Sequence, residues 1–512
     1  MSLNKFPNEP EVPPRATERH LRTDHLMNDL GGRTARGGAL TFASQGFKFF
    51  ISIAGTIILA RLLTPEDYGL IGMVAIVTGF VSMFKDMGLS MATVQRSDIK
   101  YEQVSTLFWV NVALSLAILL LTVALSPAVA WFFKEPRLLW ITIAYAGGFV
   151  FGGLSVQHEA LLRRQMRFGA LAVTEISSAL AGFVTAIALA YFGARYWALV
   201  VNQLVMSFVY AVGVWAVCGW RPGLPVRYSG VRSMLAFGGN YTGFSIVNYF
   251  GGNLDNLLVG RIWGATQLGF YAKAYQLLLL PIDQINAPVT AVAMPALSRL
   301  TDSPERYRQA YLRILQKLAI ITMPGAAFMI ATSDWLVGLT LGPQWGATAR
   351  IFTVLGFAAF IQPVLNSTGW LFLSQARTRD MLRWGLIDVT LKVVSIVAGL
   401  RWGVIGVAIG IVIRMYAQAP LLFWYVGRTG PVRQGDFYRA ITPIASAALC
   451  VLLTLFAFRS FFVDVRPLVG LSAAFGLSGA VMLLALSALP KGRSALQDLK
   501  SSLFLLVARR EA

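Results

Sequence analysis

Residues 105–126 read STLFWVNVALSLAILLLTVALS, a run with no Asp, Glu, Lys or Arg. A helix rises about 1.5 Å per residue, so such a run covers the ~30 Å hydrocarbon core of a bilayer. Similar runs fill the chain on both sides of it. The expected spans are 39–60, 69–89, 105–126, 138–156, 171–193, 196–218, 234–260, 268–295, 314–332, 347–369, 383–400, 403–427, 441–458 and 467–489. These fourteen predict an all-α, polytopic membrane protein. The 512 residues are 56% hydrophobic and 13% charged, with a mean hydropathy of +0.62. Soluble proteins carry about 25% charged residues, so this chain lacks the polar surface to fold in water. A transmembrane β-barrel would show short alternating segments instead, and none is seen.

The net charge is +20. In a soluble chain this would suggest nucleic acid. Here Lys and Arg gather in alternate loops, as cytoplasmic loops do. Arg163, Arg164 and Arg167, then Arg221, Arg227 and Arg232, then Arg299, Arg306, Arg308 and Arg313 belong to the rich set, with both tails. Arg61, Lys134 with Arg137, Arg195, Arg261, Arg350 and Arg401 represent the poor set. The alternation places both termini in the cytoplasm. The polar stretch 1–38 reads as a disordered cytoplasmic tail with no cleavable signal, and 491–512 as a second tail.

Leu59-Ala60-Arg61 and Tyr68-Gly69 have counterparts in Val259-Gly260-Arg261 and Leu268-Gly269, 200 residues later. The repeat predicts two six-helix lobes in parallel orientation, 39–220 and 221–430, around a central cavity, with two further helices over 431–490.

Catalytic chemistry finds no support in the residues. No GxxxxGK[ST] phosphate loop occurs, so no ATP motor is expected. His20, His25 and His158 are too scattered for a zinc site, and Cys218 and Cys450 have neither disulfide nor metal spacing. No cofactor is expected.

The informative residues are polar groups within spans, because a charge at the bilayer centre costs about 2.5–3.5 kcal/mol and turns toward protein or water. Lys48, Lys85 and Lys273 are candidates to face the cavity. Lys48 has no acidic residue in its own span, whereas Lys85 stands beside Asp86 near a span end, where lysine snorkels. Arg61 and Arg261 end the matched helices, as phosphate partners or interfacial anchors. Asn253 and Asn256 read as sugar contacts or as interhelical hydrogen bonds. Asp255 is a coupling or gating candidate. It pairs with Arg261 or Lys273, or binds a coupling ion, a proton or sodium, and the residues leave these open. Asp388 and Lys392, four apart, are read as neutralising each other.

Residues 59–110, from Leu59-Ala60-Arg61-Leu62-Leu63-Thr64-Pro65 through Asp67-Tyr68-Gly69 to Gly88-Leu89 and Trp109, resemble the polysaccharide transporter family. So do Ala160-Leu161-Leu162-Arg163-Arg164, Asn253-Leu254-Asp255-Asn256 with Gly269-Phe270-Tyr271, and Pro295-Ala296-Leu297-Ser298-Arg299-Leu300. This is the Wzx-like flippase branch of the multidrug/oligosaccharidyl-lipid/polysaccharide exporter superfamily. The resemblance implies a multi-pass protein of the bacterial inner membrane. It implies alternating access for undecaprenyl-pyrophosphate-linked oligosaccharide, in the synthesis of exopolysaccharide, O-antigen or capsule. Membrane lipid, a polymerase and glycosyltransferases are the implied partners. A lipid II flippase, a cation-coupled drug exporter and a non-transporting scaffold of a glycan synthase are the alternatives. The lysines disfavour the drug exporter, and the cost of intramembrane charge disfavours the scaffold.

Overall fold

The computed structural model describes residues 30–84, 89–95, 99–226, 232–462, 465–490, 492–493 and 496–498. Among them there are helices and no strands. The chain divides into two compact units between Asn253 and Leu254.

The helices of unit 1 are α1 (Leu30–Leu62), α2 (Pro65–Ser82), α3 (Leu89–Gln95), α4 (Tyr101–Phe133), α5 (Leu138–Ala146), α6 (Gly148–Arg164), α7 (Phe168–Tyr191) and α8 (Tyr196–Cys218). Helix α9 (Arg232–Ser298) begins in unit 1. Unit 2 continues with α10 (Pro304–Ala331), α11 (Ser333–Thr340), α12 (Gly346–Ser374), α13 (Thr378–Gly399), α14 (Gly403–Gly427), α15 (Gln434–Phe461) and α16 (Pro467–Ala488).

The deciding stretch, within α4, is arranged as lipid demands. Ser105, Asn111, Ser115, Thr122 and Ser126 are buried, while Trp109, Leu116, Leu120, Leu121 and Leu125 are exposed. Water would favour the reverse. Between lipid-facing helices, small polar side chains allow close packing, while leucines face the tails. Thr122 donates to the Ile118 carbonyl at 2.7 Å and stays satisfied within its own helix.

Eleven helical stretches among the described residues are long and apolar enough to cross a membrane. Two of them carry an internal break: Gly251–Ser298 at Gly264 (φ +79°), and Thr378–Gly427 at Leu400–Trp402 and Gly403 (φ +75°). The expected fourteen counts each broken stretch as two spans and adds α2. Helix α2 lies outside the eleven because Pro65, Glu66 and Asp67 lower the hydropathy of its first turn. Those residues set its start instead. Thr64 Oγ1 accepts from the Asp67 amide at 3.3 Å, and Asp67 Oδ2 accepts from the Thr64 amide at 2.9 Å, a reciprocal cap.

Matched positions carry matched backbone features. Gly264, the break in α9, lies 200 residues after Thr64, the cap before α2. Met166 (φ +54°) and Ala376 (φ +56°), 210 residues apart, are both left-handed. Each precedes an arginine that donates to a carbonyl near the end of a later helix. Arg167 reaches Val217 O at 3.1 Å, and Arg377 reaches Val426 O at 3.0 Å.

Candidate functional site

In unit 1 the polar side chains gather where α1, α6, α7 and α8 supply them. Lys48 on α1 donates to Glu175 Oε2 on α7 at 2.9 Å. Lys48 is about two-fifths exposed and Glu175 one-fifth. The sequence offered Lys48 no acidic residue in its own helix, and the packing of α1 on α7 supplies one. On α6, Arg163 pairs with Glu159 at 2.8 Å, and Tyr210 on α8 is hydrogen-bonded to Glu159. Glu159 and Tyr210 line a cavity of about 350 Å³ with Thr78, Ser82, Ser155 and Gln203. Asn253 donates to the Tyr249 carbonyl at 3.0 Å, one helical turn back. Tyr249 in turn donates to Ile76 O of α2 at 2.7 Å. Arg61 is exposed at the end of α1. Lys85 lies outside the described residues.

Unit 2 holds a more deeply buried set. Asp255 is 1% exposed. Its Oδ2 accepts from the Tyr271 hydroxyl at 2.9 Å, and its Oδ1 lies 3.8 Å from Lys392 Nζ on α13. The partner of Asp255 is thus a lysine 137 positions away, not the nearby Arg261 or Lys273. Asp388, one turn before Lys392, pairs with Arg414 on α14 at 2.5 Å. Arg414 also donates to Gln418 at 3.0 Å, while its Nε is buried without a hydrogen-bond partner. The two charges that the sequence placed on one face of α13 are therefore each bound to another helix. Lys273 is buried and donates to Gln276 at 3.0 Å. Asn256 is half-buried with an unbonded buried Oδ1, and Arg261 is half-buried.

Lys392, Asp388, Arg414 and Gln418 line a cavity of about 300 Å³, with Tyr275, Gln362, Asn366 and Trp384. It is assembled from segments matching those of the unit 1 cavity. Tyr275 follows Ala75 by 200 residues, Gln362 and Asn366 follow Gly152 and Val156 by 210, and Gln418 follows Tyr210 by 208. The lining chemistry differs: hydroxyls, Gln203 and Glu159 in unit 1, amides with Lys392, Arg414 and Asp388 in unit 2. Several of these residues escaped the sequence reading. Glu175 is a lone acid in span 171–193, the same signal that singled out Asp255. Tyr271 and Gln418 are ordinary span residues, and only packing reveals their role.

Such an arrangement can hold ligands through hydrogen bonds and exchangeable charge pairs. Among the described residues no group of His, Cys, Asp and Glu could hold a metal ion. Membrane-crossing helices enclosing polar cavities and buried charge pairs define a multi-pass membrane protein built around polar interior sites.

The chain belongs to the polysaccharide biosynthesis protein family, whose family model matches residues 58–350, more than half its length. The chain is 27% identical to the lipopolysaccharide biosynthesis protein WzxC of Escherichia coli (strain K12), across 69% of this chain and 72% of WzxC. It is also 27% identical to the teichuronic acid biosynthesis protein TuaB of Bacillus subtilis (strain 168), across 65% of this chain and 70% of TuaB. Among solved structures, the lipid II flippase MurJ in an inward closed conformation superposes with a TM-score of 0.70. The likeness covers 88% of this chain and 98% of MurJ at 13% identity, and so shows a shared fold.

Proposed function

We propose that this protein is a flippase that moves lipid-linked oligosaccharide repeat units across the bacterial inner membrane for polysaccharide synthesis. The carrier lipid is undecaprenyl pyrophosphate, and the protein works by alternating access with both termini in the cytoplasm. The observation that carries the reading is two ion pairs, the buried Asp255–Lys392 and the partly buried Asp388–Arg414, beside a polar cavity inside membrane-crossing helices. A purely structural bundle gains little from desolvating a pair such as Asp255–Lys392, and well-packed apolar residues often serve as well. A protein that passes an anionic, hydroxyl-rich headgroup needs cations that can exchange carboxylate for phosphate, and amides to meet sugar hydroxyls. The names of WzxC and TuaB support a polysaccharide pathway.

The chain acts without chemical catalysis, and a proton or sodium gradient drives it. A polymerase and glycosyltransferases are its pathway partners. The test is flipping of a fluorescent, short-chain lipid-linked oligosaccharide in proteoliposomes, comparing wild type with Asp255→Asn and with Lys48→Gln/Lys273→Gln. Wild type should flip the lipid and the variants should slow it, with normal amounts of folded protein. Equal rates in protein-free and protein-containing vesicles refute the flippase. Unchanged rates in the variants remove those residues from the path.

A further inference from the structure

Beside the polar cavity of unit 2 lies a second concavity of different character. It is a groove of about 430 Å³ between α13 and α14, lined by Val394, Ala398, Trp402, Ile409, Ile413 and Leu421. An apolar surface facing lipid is ordinary in a membrane protein, so its chemistry alone assigns nothing. Its connection does. Arg414 and Gln418 line both the groove and the polar cavity. One guanidinium therefore stands where an apolar compartment meets a compartment of amides and charges.

Glycines keep α13 and α14 close between that meeting point and the turn that joins the two helices. A Cβ on Gly399 or Gly406 would collide with the other's carbonyl, and one on Gly410 with Ser395 O. The close approach leaves a furrow rather than a ridge outside the helix pair. At its inner edge, Arg414 has spent one nitrogen on Asp388 and Gln418, while its Nε–H remains buried without an acceptor. A buried donor left unbonded is costly, and a phosphate oxygen is a strong acceptor for it.

We propose that unit 2 by itself binds a polyprenyl phosphate across Arg414. The phosphate meets the guanidinium, the sugar end enters the cavity lined by Gln362, Asn366 and Trp384, and the phosphate-proximal part of the chain lies in the groove. This rests on the reading of the protein as a lipid-linked oligosaccharide flippase and names where that substrate is held. Asp388 is the internal occupant of the cation site, and phosphate displaces it from Arg414.

The probe is a polyprenyl phosphate with a diazirine in its phosphate-proximal isoprene, added to the full-length protein in nanodiscs and photolysed. Adducts are mapped by peptide mass spectrometry. Labelling is expected within residues 391–421 and should survive excess phosphatidylglycerol. The neutral polyprenol analogue should label there at least tenfold less, since a hydrogen bond to a charged group is worth about that factor or more. Arg414→Gln leaves Asp388 without its partner and risks misfolding, so Asp388→Asn/Arg414→Gln is used and should give a similar tenfold loss. Ile413→Trp, on an exposed position of the groove, should reduce labelling with no loss of folded protein. Labelling confined to other segments, or equal loss to phosphatidylglycerol, or indifference to both variants overturns the site while the flippase reading stands. No labelling above that of an unrelated membrane protein overturns both.

Discussion

Replacing Lys392 with Met leaves Asp255 buried with no cation at 3.8 Å. At an effective dielectric of about 20, two unit charges at that separation attract by roughly 4 kcal/mol. Removing one member of a buried pair costs about 3–5 kcal/mol, because the other charge stays desolvated. Tyr271 still donates to Asp255, which holds the carboxylate in place without neutralising it. Lys392→Met should therefore destabilise unit 2 by roughly 3–5 kcal/mol. Asp255→Asn should cost less. It keeps an acceptor for Tyr271, and Lys392, more exposed than Asp255, has the longer stem with which to reach water. The double variant Asp255→Asn/Lys392→Met removes both charges and should recover most of the loss. The assay is reversible unfolding of the purified protein in mixed micelles, arranged as a double-mutant cycle. A coupling energy of about 2–4 kcal/mol is expected, and additive single effects within ~0.5 kcal/mol would refute an ion pair at this place. Transport by the double variant separates stability from function. A stable but inactive double variant assigns the pair to gating, and full activity assigns it to architecture.

Three further outcomes follow. Cysteine placed at the exposed Lys134 should react with a membrane-impermeant maleimide from the periplasm and one at Ser303 should not, in a Cys218→Ser/Cys450→Ser background; the reverse pattern inverts the topology. Gly406→Leu should destabilise unit 2 by about 1–3 kcal/mol or more through collision with the α13 backbone, read in the same unfolding assay, whereas Gly476→Leu, with open space at its Cβ, should not. Outside the membrane spans, hydrogen bonds from Arg137 hold the Glu135 carboxyl below its ordinary range, and Arg137 also pairs with Glu66 at 2.5 Å. A depressed carboxylate pKa stabilises the fold above its unfolded value and loses that stability as pH falls through the folded value. The melting temperature should thus drop on acidification below about pH 4.3, less so in Glu135→Gln, and an identical pH profile in the two proteins would refute this contribution.

Composition and periodicity alone carried the chain to its class. Runs such as 105–126 can satisfy their backbone in hydrocarbon only as helices, and their residues say so without a partner. The helix ends were legible only roughly: α2 begins at Pro65, four residues before the expected span 69–89, because Thr64 and Asp67 cap it, and Gly264 breaks α9 between the expected spans 234–260 and 268–295. Which residues merit attention was also legible, because a charge in an apolar run stands out. Partnership was not. Lys48 meets Glu175 across 127 positions and Asp255 meets Lys392 across 137, through helices whose order in space no local pattern encodes. Asp388 and Lys392 have helix-neighbour spacing, yet Asp388 bonds Arg414 and Lys392 faces Asp255. Desolvation decides this. In a low-dielectric interior each charge takes the partner that packing brings within reach, and packing is a property of the assembled helices. The cavities are tertiary for the same reason: residues from four helices line each of them, and Arg414 joins cavity to groove only once α13 and α14 close on their glycines.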